Sequence, residues 1–253
     1  MVPPGADVHS FQTTPQESIQ ISRAAVIFSN GFGLDDFLMP VIESAAKAGA
    51  VQVVVSDGLE TSPITSAKLG QGFPGKLARP LNGGPDPHFW QNPIYTIHYA
   101  QRIRDALVEA DQANAETYRS NAEKYIQELR QLDQEISRIL GQVPPRRRHL
   151  ITFHDAFGHF ADRYGWQASG LLPNDAGDVT PGTIISMMKQ LREQDIGAVF
   201  AEPQFRSQVI DRAGRDAGVR IGRIYSDVLD DTVSTYTEMM RFNARSLAEH
   251  LRD

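Results

Sequence analysis

Seven histidines and no cysteine set the chemistry open to this chain of 253 residues. Without thiols there is no disulfide and no thiolate site, so any metal must be held by His, Asp or Glu. Imidazoles are more often surface or satisfied core groups than ligands. Position along the chain therefore has to separate His9, His88, His98, His149, His154, His159 and His250. His154 follows the apolar run His149–Phe153, which reads as a buried strand, and Asp155 comes next. Residues just past the carboxyl end of a parallel strand are where sites form. His88 stands in Pro85-Asp86-Pro87-His88, where proline fixes φ and lowers the entropic cost of holding a ligand still. His9 closes a Gly5–His9 turn ahead of a helix, and Asp227 follows the strand-like run RIGRIYS. Three imidazoles and a carboxylate suit a first-row divalent ion, with Asp86 and Asp155 placed to orient imidazoles from behind.

The other four histidines fit less well. His98 and His250 fall within helical patterns, and His149 opens a strand. His159 is five residues from His154, about 140° around a helix, so the two do not share a face as in HExxH sites. All four read as structural or exposed. Glu202 follows the run Ala198–Ala201 at another carboxyl strand end. Two readings of it stay open: a ligand or acceptor at the site, or an acid at the entry of a helix.

The elements that must position these groups come next. Apolar residues Ala115, Tyr118, Ala122, Tyr125, Leu129, Leu132, Ile136 and Leu140 recur at steps of three and four, the period of one helix face. Gly141 and Pro144-Pro145 stop that helix, which spans about 40 Å at 1.5 Å per residue. It reads as a strut between two α/β lobes. Ahead of it, the spacing predicts a helix capped by Thr14, a strand over 24–29, a helix near 35–48 and a strand over 51–56. A long loop over 58–87 and a helix from Asn92-Pro93 follow. Beyond it, strands at 149–153, 166–171, 198–201 and 220–225 alternate with helices at 156–164, 181–194, 207–217 and 234–251. This is the rhythm of a parallel sheet covered by helices. The domain organisation expected is a lobe over 1–112, the connecting helix over 113–142 and a second lobe over 143–253.

Composition narrows the function. With 41% apolar and 22% charged residues the chain is globular. The net charge of -6, with Arg146–Arg148 as the longest basic tract, argues against a nucleic-acid partner. No apolar run is long enough to span a membrane, and MVPPGADVHSFQ has the make-up of no export signal.

The segments GADVHSFQTTP, NGFGLDDF, DPHFWQNP, FHDAFGHF, FAEPQF and YTEMMRFN occur in order over nearly the whole chain. Together they resemble the metal-binding substrate-binding proteins of bacterial ABC transporters, the zinc and manganese cluster. The resemblance implies an α/β fold of two lobes with parallel sheets flanked by helices, joined by one long rigid helix, with the metal in the cleft between the lobes. The ligands it implies are His9 and His88 from the first lobe and His154 and Asp227 from the second. His154 at the third position, where manganese-type members often carry Glu, favours zinc, as the preference of zinc for imidazole also does. Manganese remains open through Asp227. The implied partner is a membrane ABC permease, and the implied place of action is the periplasm or the outer side of the cytoplasmic membrane. The chain is expected to act as a monomer. Against the family pattern, it starts almost at GADVHSF, so the first lobe is expected to lack an opening strand–helix unit and an export signal. A zinc hydrolase using Glu202 as general base is the alternative of another class, and a surface adhesin is a further role described for some family members.

Overall fold

The computed structural model describes residues 11, 13–60, 85–170, 181–193, 196, 198–203 and 208–252. Two parallel sheets organise it. The first pairs β1 (Val26–Ser29) with β2 (Val51–Val54), in register from Val26 opposite Val51 to Ser29 opposite Val54. The helix α1 (Pro15–Arg23) leads into β1, and its first turn is closed by Thr14 and Glu17 in a reciprocal capping box. Between the strands the chain makes a 3-10 turn at Asp36–Leu38 and the short helix α2 (Met39–Ala45). The helix expected from residue 35 thus starts later. Pro40 has no N–H and sits in the first turn, the position where it suits a helix start. The strand expected over 51–56 ends at Val54, where a turn takes over. Most of the expected loop, residues 61–84, lies outside the described residues.

α3 (Pro93–Ala110) starts at an Asn92 cap and leans on both strands of the first sheet. α4 (Ala115–Leu140) follows as one uninterrupted helix of 26 residues. Of the apolar stripe read from the sequence, Ala115, Leu129, Leu132, Ile136 and Leu140 are buried, whereas Tyr118, Ala122 and Tyr125 are half-buried; Ile126, outside that stripe, is buried as well. α4 packs along α3 on one side and along the closing helix α8 (Tyr236–Leu251) on the other. It therefore ties the helix that supports the first sheet to the helix that covers the second.

The second sheet has four parallel strands in the order β4 (Gln167–Gly170), β3 (His149–Thr152), β5 (Ala198–Ala201), β6 (Arg220–Arg223). Side chains alternate between its faces. Leu150, Ala198 and Phe200 join the core under α4 and α8, with Phe157, Phe160, Met240 and Leu247. Ile151, Phe153, Val199 and Ala201 join the opposite core with Met188, Leu191 and Ile210 from α6 (Pro181–Glu193) and α7 (Gln208–Ala217). Covered on both faces, the strands need continuous apolar sequence, which is why β3 and β5 were legible. The chain runs from β3 through α5 (Gly158–Tyr164) outward to β4, then returns across β3 to β5 and β6. The order reverses between β3 and β5, and ligands bind beyond the carboxyl ends of strands at such a switch point.

Candidate metal centre

Glu202 directly follows β5 and His154 stands two residues past β3, so both sit at the switch point. The His154 side chain is buried and its backbone N–H donates to Glu202 Oε1 at 3.3 Å. Asp227 comes four residues past β6. Its approach is fixed by α8, where the buried Asn243 accepts from Tyr225 N at 2.9 Å and donates to the Tyr225 carbonyl at 2.8 Å. Asp227 Oδ2 lies 3.3 Å from His154 Nδ1 and takes a hydrogen bond from Ser226 Oγ at 3.1 Å.

His88 comes from the segment just ahead of the 3-10 turn Phe89–Gln91 that leads into α3. Asp86 Oδ1 accepts both the backbone N–H of His88 at 3.0 Å and its Nδ1–H at 2.7 Å. A carboxylate can only accept, so Nδ1 carries hydrogen and Nε2 is the atom presented to the site. His88 Nε2 is 3.9 Å from Asp227 Oδ1, and its ring meets His154 edge-on at 4.8 Å between centroids. The loop after β1 holds this segment in place. Asn30 Nδ2 donates to the Pro87 carbonyl at 3.0 Å, and Tyr99 donates to Asn30 Oδ1 at 2.6 Å. Phe32, at φ 54 between two glycines of positive φ, packs its ring 5.0 Å from Phe89. A non-glycine residue in that region is uncommon, and here it turns an aromatic ring under the His88 segment.

His88, His154 and Asp227 form a group in which one ligand-capable atom from each lies within 4.8 Å of the others. Three residues spread over 140 positions of chain are brought together in the interior, with His88 and His154 almost fully buried. Two imidazoles and a carboxylate are a chemically suitable donor set for a divalent transition ion. His9, the fourth ligand expected from the sequence, lies outside the described residues.

Electrostatics fits an ion-accepting group of side chains. Burial pulls the Asp86 carboxyl up, but the His88 hydrogen bond and the charges of His88 and His159 leave it below the usual aspartate range. Burial pulls His88 down, but the Asp86 hydrogen bond and charge, with Asp227 and Asp155, leave it raised. Glu202 is pushed well up, first by burial and then by the charge of Asp227. Its Oε2 is buried with no hydrogen-bond partner among the described residues. Glu202 stands beside the three-residue group, 4.0 Å from His154 Nδ1, as an acceptor behind His154.

The histidines read as structural all have anchors. His98 donates to the Asp57 carbonyl at 2.9 Å, His250 to the Ser246 carbonyl at 2.8 Å, and His149 pairs with Ser169 Oγ at 3.0 Å. His159 is more than a filler. It stacks on Phe89 at 4.5 Å and donates from Nε2 to the Asp86 carbonyl at 3.0 Å, so it supports the acid that orients His88. Its partner lies 73 positions away, which no local spacing reports. The Phe89-aromatic context in DPHFW was the available hint.

Residues 1–250 match the family described as ZnuA, zinc-uptake complex component A, periplasmic. The chain belongs to this family of metal-binding substrate-binding proteins of ABC transporters. Among relatives of this binding protein, the manganese-binding lipoprotein MntA of Halalkalibacterium halodurans is 28% identical over 99% of this chain and 80% of its own length. The iron-binding protein YfeA of Yersinia pestis is 29% identical over 97% of this chain and 76% of its own. The fold is that of the periplasmic zinc binding protein TroA of Treponema pallidum, with a TM-score of 0.81 at 23% identity over 100% of this chain and 90% of that one. A family of ABC-transporter binding proteins is not a family of enzymes, and the zinc-hydrolase alternative falls with it. No helix among the described residues is long and apolar enough to cross a membrane.

Proposed function

We propose that this protein captures zinc outside the cytoplasmic membrane and hands it to an ABC permease. His88, His154 and Asp227 act as ligands, and His9 completes the shell. The observation that carries the reading is the buried convergence of His88, His154 and Asp227 from three distant parts of the chain. Four protein ligands close a tetrahedral shell and leave no position for an activated water, which suits carriage rather than catalysis. An imidazole-rich set favours zinc. The names of relatives that bind manganese or iron, together with the Asp227 carboxylate, keep manganese as the second reading. His88 and Asp227 come from the two lobes expected at 1–112 and 143–253, with the helix between as the strut. A small displacement of one lobe on the other therefore separates ligands, and a permease that contacts the separated arrangement more favourably would draw the ion out.

Elemental analysis followed by chelator competition with zinc and manganese tests this, with His154→Ala alongside. One tightly held zinc per chain, lost in the variant, supports the reading. Stoichiometric manganese with weak zinc replaces the metal, and a folded chain that holds neither ion overturns the site.

A further inference from the structure

The two chain segments that carry His88 and Asp227 are joined directly by protein hydrogen bonds. Trp90 Nε1 and Gln91 Nε2 both donate to the carbonyl oxygen of Ser226, each at 2.8 Å. A third bond closes the arrangement from the opposite direction, with the Tyr236 hydroxyl donating to the Trp90 carbonyl at 2.7 Å. These bonds link positions 135 to 146 residues apart. Gln91 and Ser226 are almost completely buried. Each side of the clasp also touches a metal-centre residue. The Trp90 ring meets His88 edge-on at 5.3 Å, and Ser226 Oγ donates to Asp227 Oδ2.

We propose that Trp90 and Gln91 are positioning residues for the bound ion: through the Ser226 carbonyl they set the separation of His88 from Asp227, and so govern how fast the ion leaves. This rests on the metal reading above. The two indole and amide donors occupy both lone pairs a carbonyl oxygen offers. In a buried setting no water replaces a donor that is removed, and an under-satisfied carbonyl disfavours the closed arrangement. Metal–ligand distances tolerate only a few tenths of an ångström. A clasp one residue from Asp227 and two from His88 is therefore placed to control the geometry of both. The three bonds use no atom of His88, His154 or Asp227, so the clasp acts on the ion by holding the segments that bear its ligands.

Zinc-loaded protein, trapped with excess chelator in a stopped-flow instrument, gives the release rate. Trp90→Phe keeps a ring against His88 and removes the indole donor. Gln91→Met keeps the length and removes the amide. Each is expected to speed release about five- to tenfold while the association rate stays near that of the parent. Arg241→Met serves as the control. It removes the contact from α8 to Glu135 on α4 at 2.9 Å, so it should lower the melting temperature and leave release unchanged. Retained zinc with parental release rates in both clasp variants overturns the clasp alone. So does an equal acceleration in Arg241→Met, which would make the effect one of general stability. A parent chain that retains no zinc overturns the metal reading and the clasp together.

Discussion

Asp86 Oδ1 receives two hydrogen bonds from one residue, the backbone N–H and the Nδ1–H of His88. The carboxylate thereby fixes both where the backbone of His88 runs and which ring nitrogen faces Asp227. Asp86→Asn keeps an acceptor of the same shape but removes the charge that holds the Nδ1 tautomer. Loss of such a partner behind a ligating histidine typically costs about 10–100-fold in metal affinity. Competition titration of the variant with zinc checks this, and an unchanged affinity would remove Asp86 from the metal centre.

The same pair fixes a pH dependence. Asp86 is lowered from the ordinary 3.8, so its contribution to stability is present above 3.8 and lost as pH falls through the lowered value. His88 is raised from the ordinary 6.5, so its contribution is complete below 6.5 and lost as pH rises through the raised value. The metal-free pair is thus most stabilising between 3.8 and 6.5. Zinc needs His88 Nε2 without its proton, and proton and metal compete for it. The rise in melting temperature on adding zinc should therefore be larger at about pH 8 than at about pH 5.5. Paired thermal melts at the two values decide it, and a zinc effect that is flat or larger at the acid end contradicts the assignment.

Glu202 gives an opposite kind of test, since burial raises its carboxyl. Its folded-state value is raised above the ordinary 4.5, so the folded chain binds that proton more tightly than the unfolded chain. Its contribution is greatest below 4.5 and declines as pH rises toward the raised value. Glu202→Gln has the shape of the neutral acid and retains an oxygen to accept the His154 N–H. Metal-free Glu202→Gln should melt above the parent at about neutral pH, with the difference closing at about pH 4. Melting curves of the two proteins that stay parallel at every pH would rule this out.

Much of this was legible because it is local. α4 announced itself through apolar residues at steps of three and four, and five of them, Ala115, Leu129, Leu132, Ile136 and Leu140, are buried in the structure, with Tyr118, Ala122 and Tyr125 half-buried. β3 and β5 announced themselves as short apolar runs, because a sheet covered on both faces needs apolar residues on both. His154 stood out because it follows such a run. What was not legible depends on distant partners. Gln91 meets Ser226 across 135 positions, and His159 meets Asp86 across 73. Asn243, which pins Tyr225 from both sides, looks in sequence like one more polar residue on an amphipathic helix.

Gly170 shows how the second sheet enforces the placement of His154. It is the last residue of β4, in register with Thr152 at the end of β3. A Cβ added there would lie 2.5 Å from the Asp155 Cβ and 2.8 Å from both the Asp155 Cα and its N. Two of these three are backbone atoms, so no side-chain rotation relieves the clash, and the chain just past His154 has to move. Gly170→Ala is therefore an overpacking change, expected to destabilise by about 1–3 kcal/mol. The displaced backbone also carries the His154 N–H that donates to Glu202, so zinc affinity should fall together with stability. Arg241→Met, which removes the contact between α8 and Glu135 of α4 away from the site, should lower stability alone. Denaturant unfolding and zinc competition on both variants separate the two effects. Parental zinc affinity in Gly170→Ala would mean that the strand end can shift without carrying His154 with it.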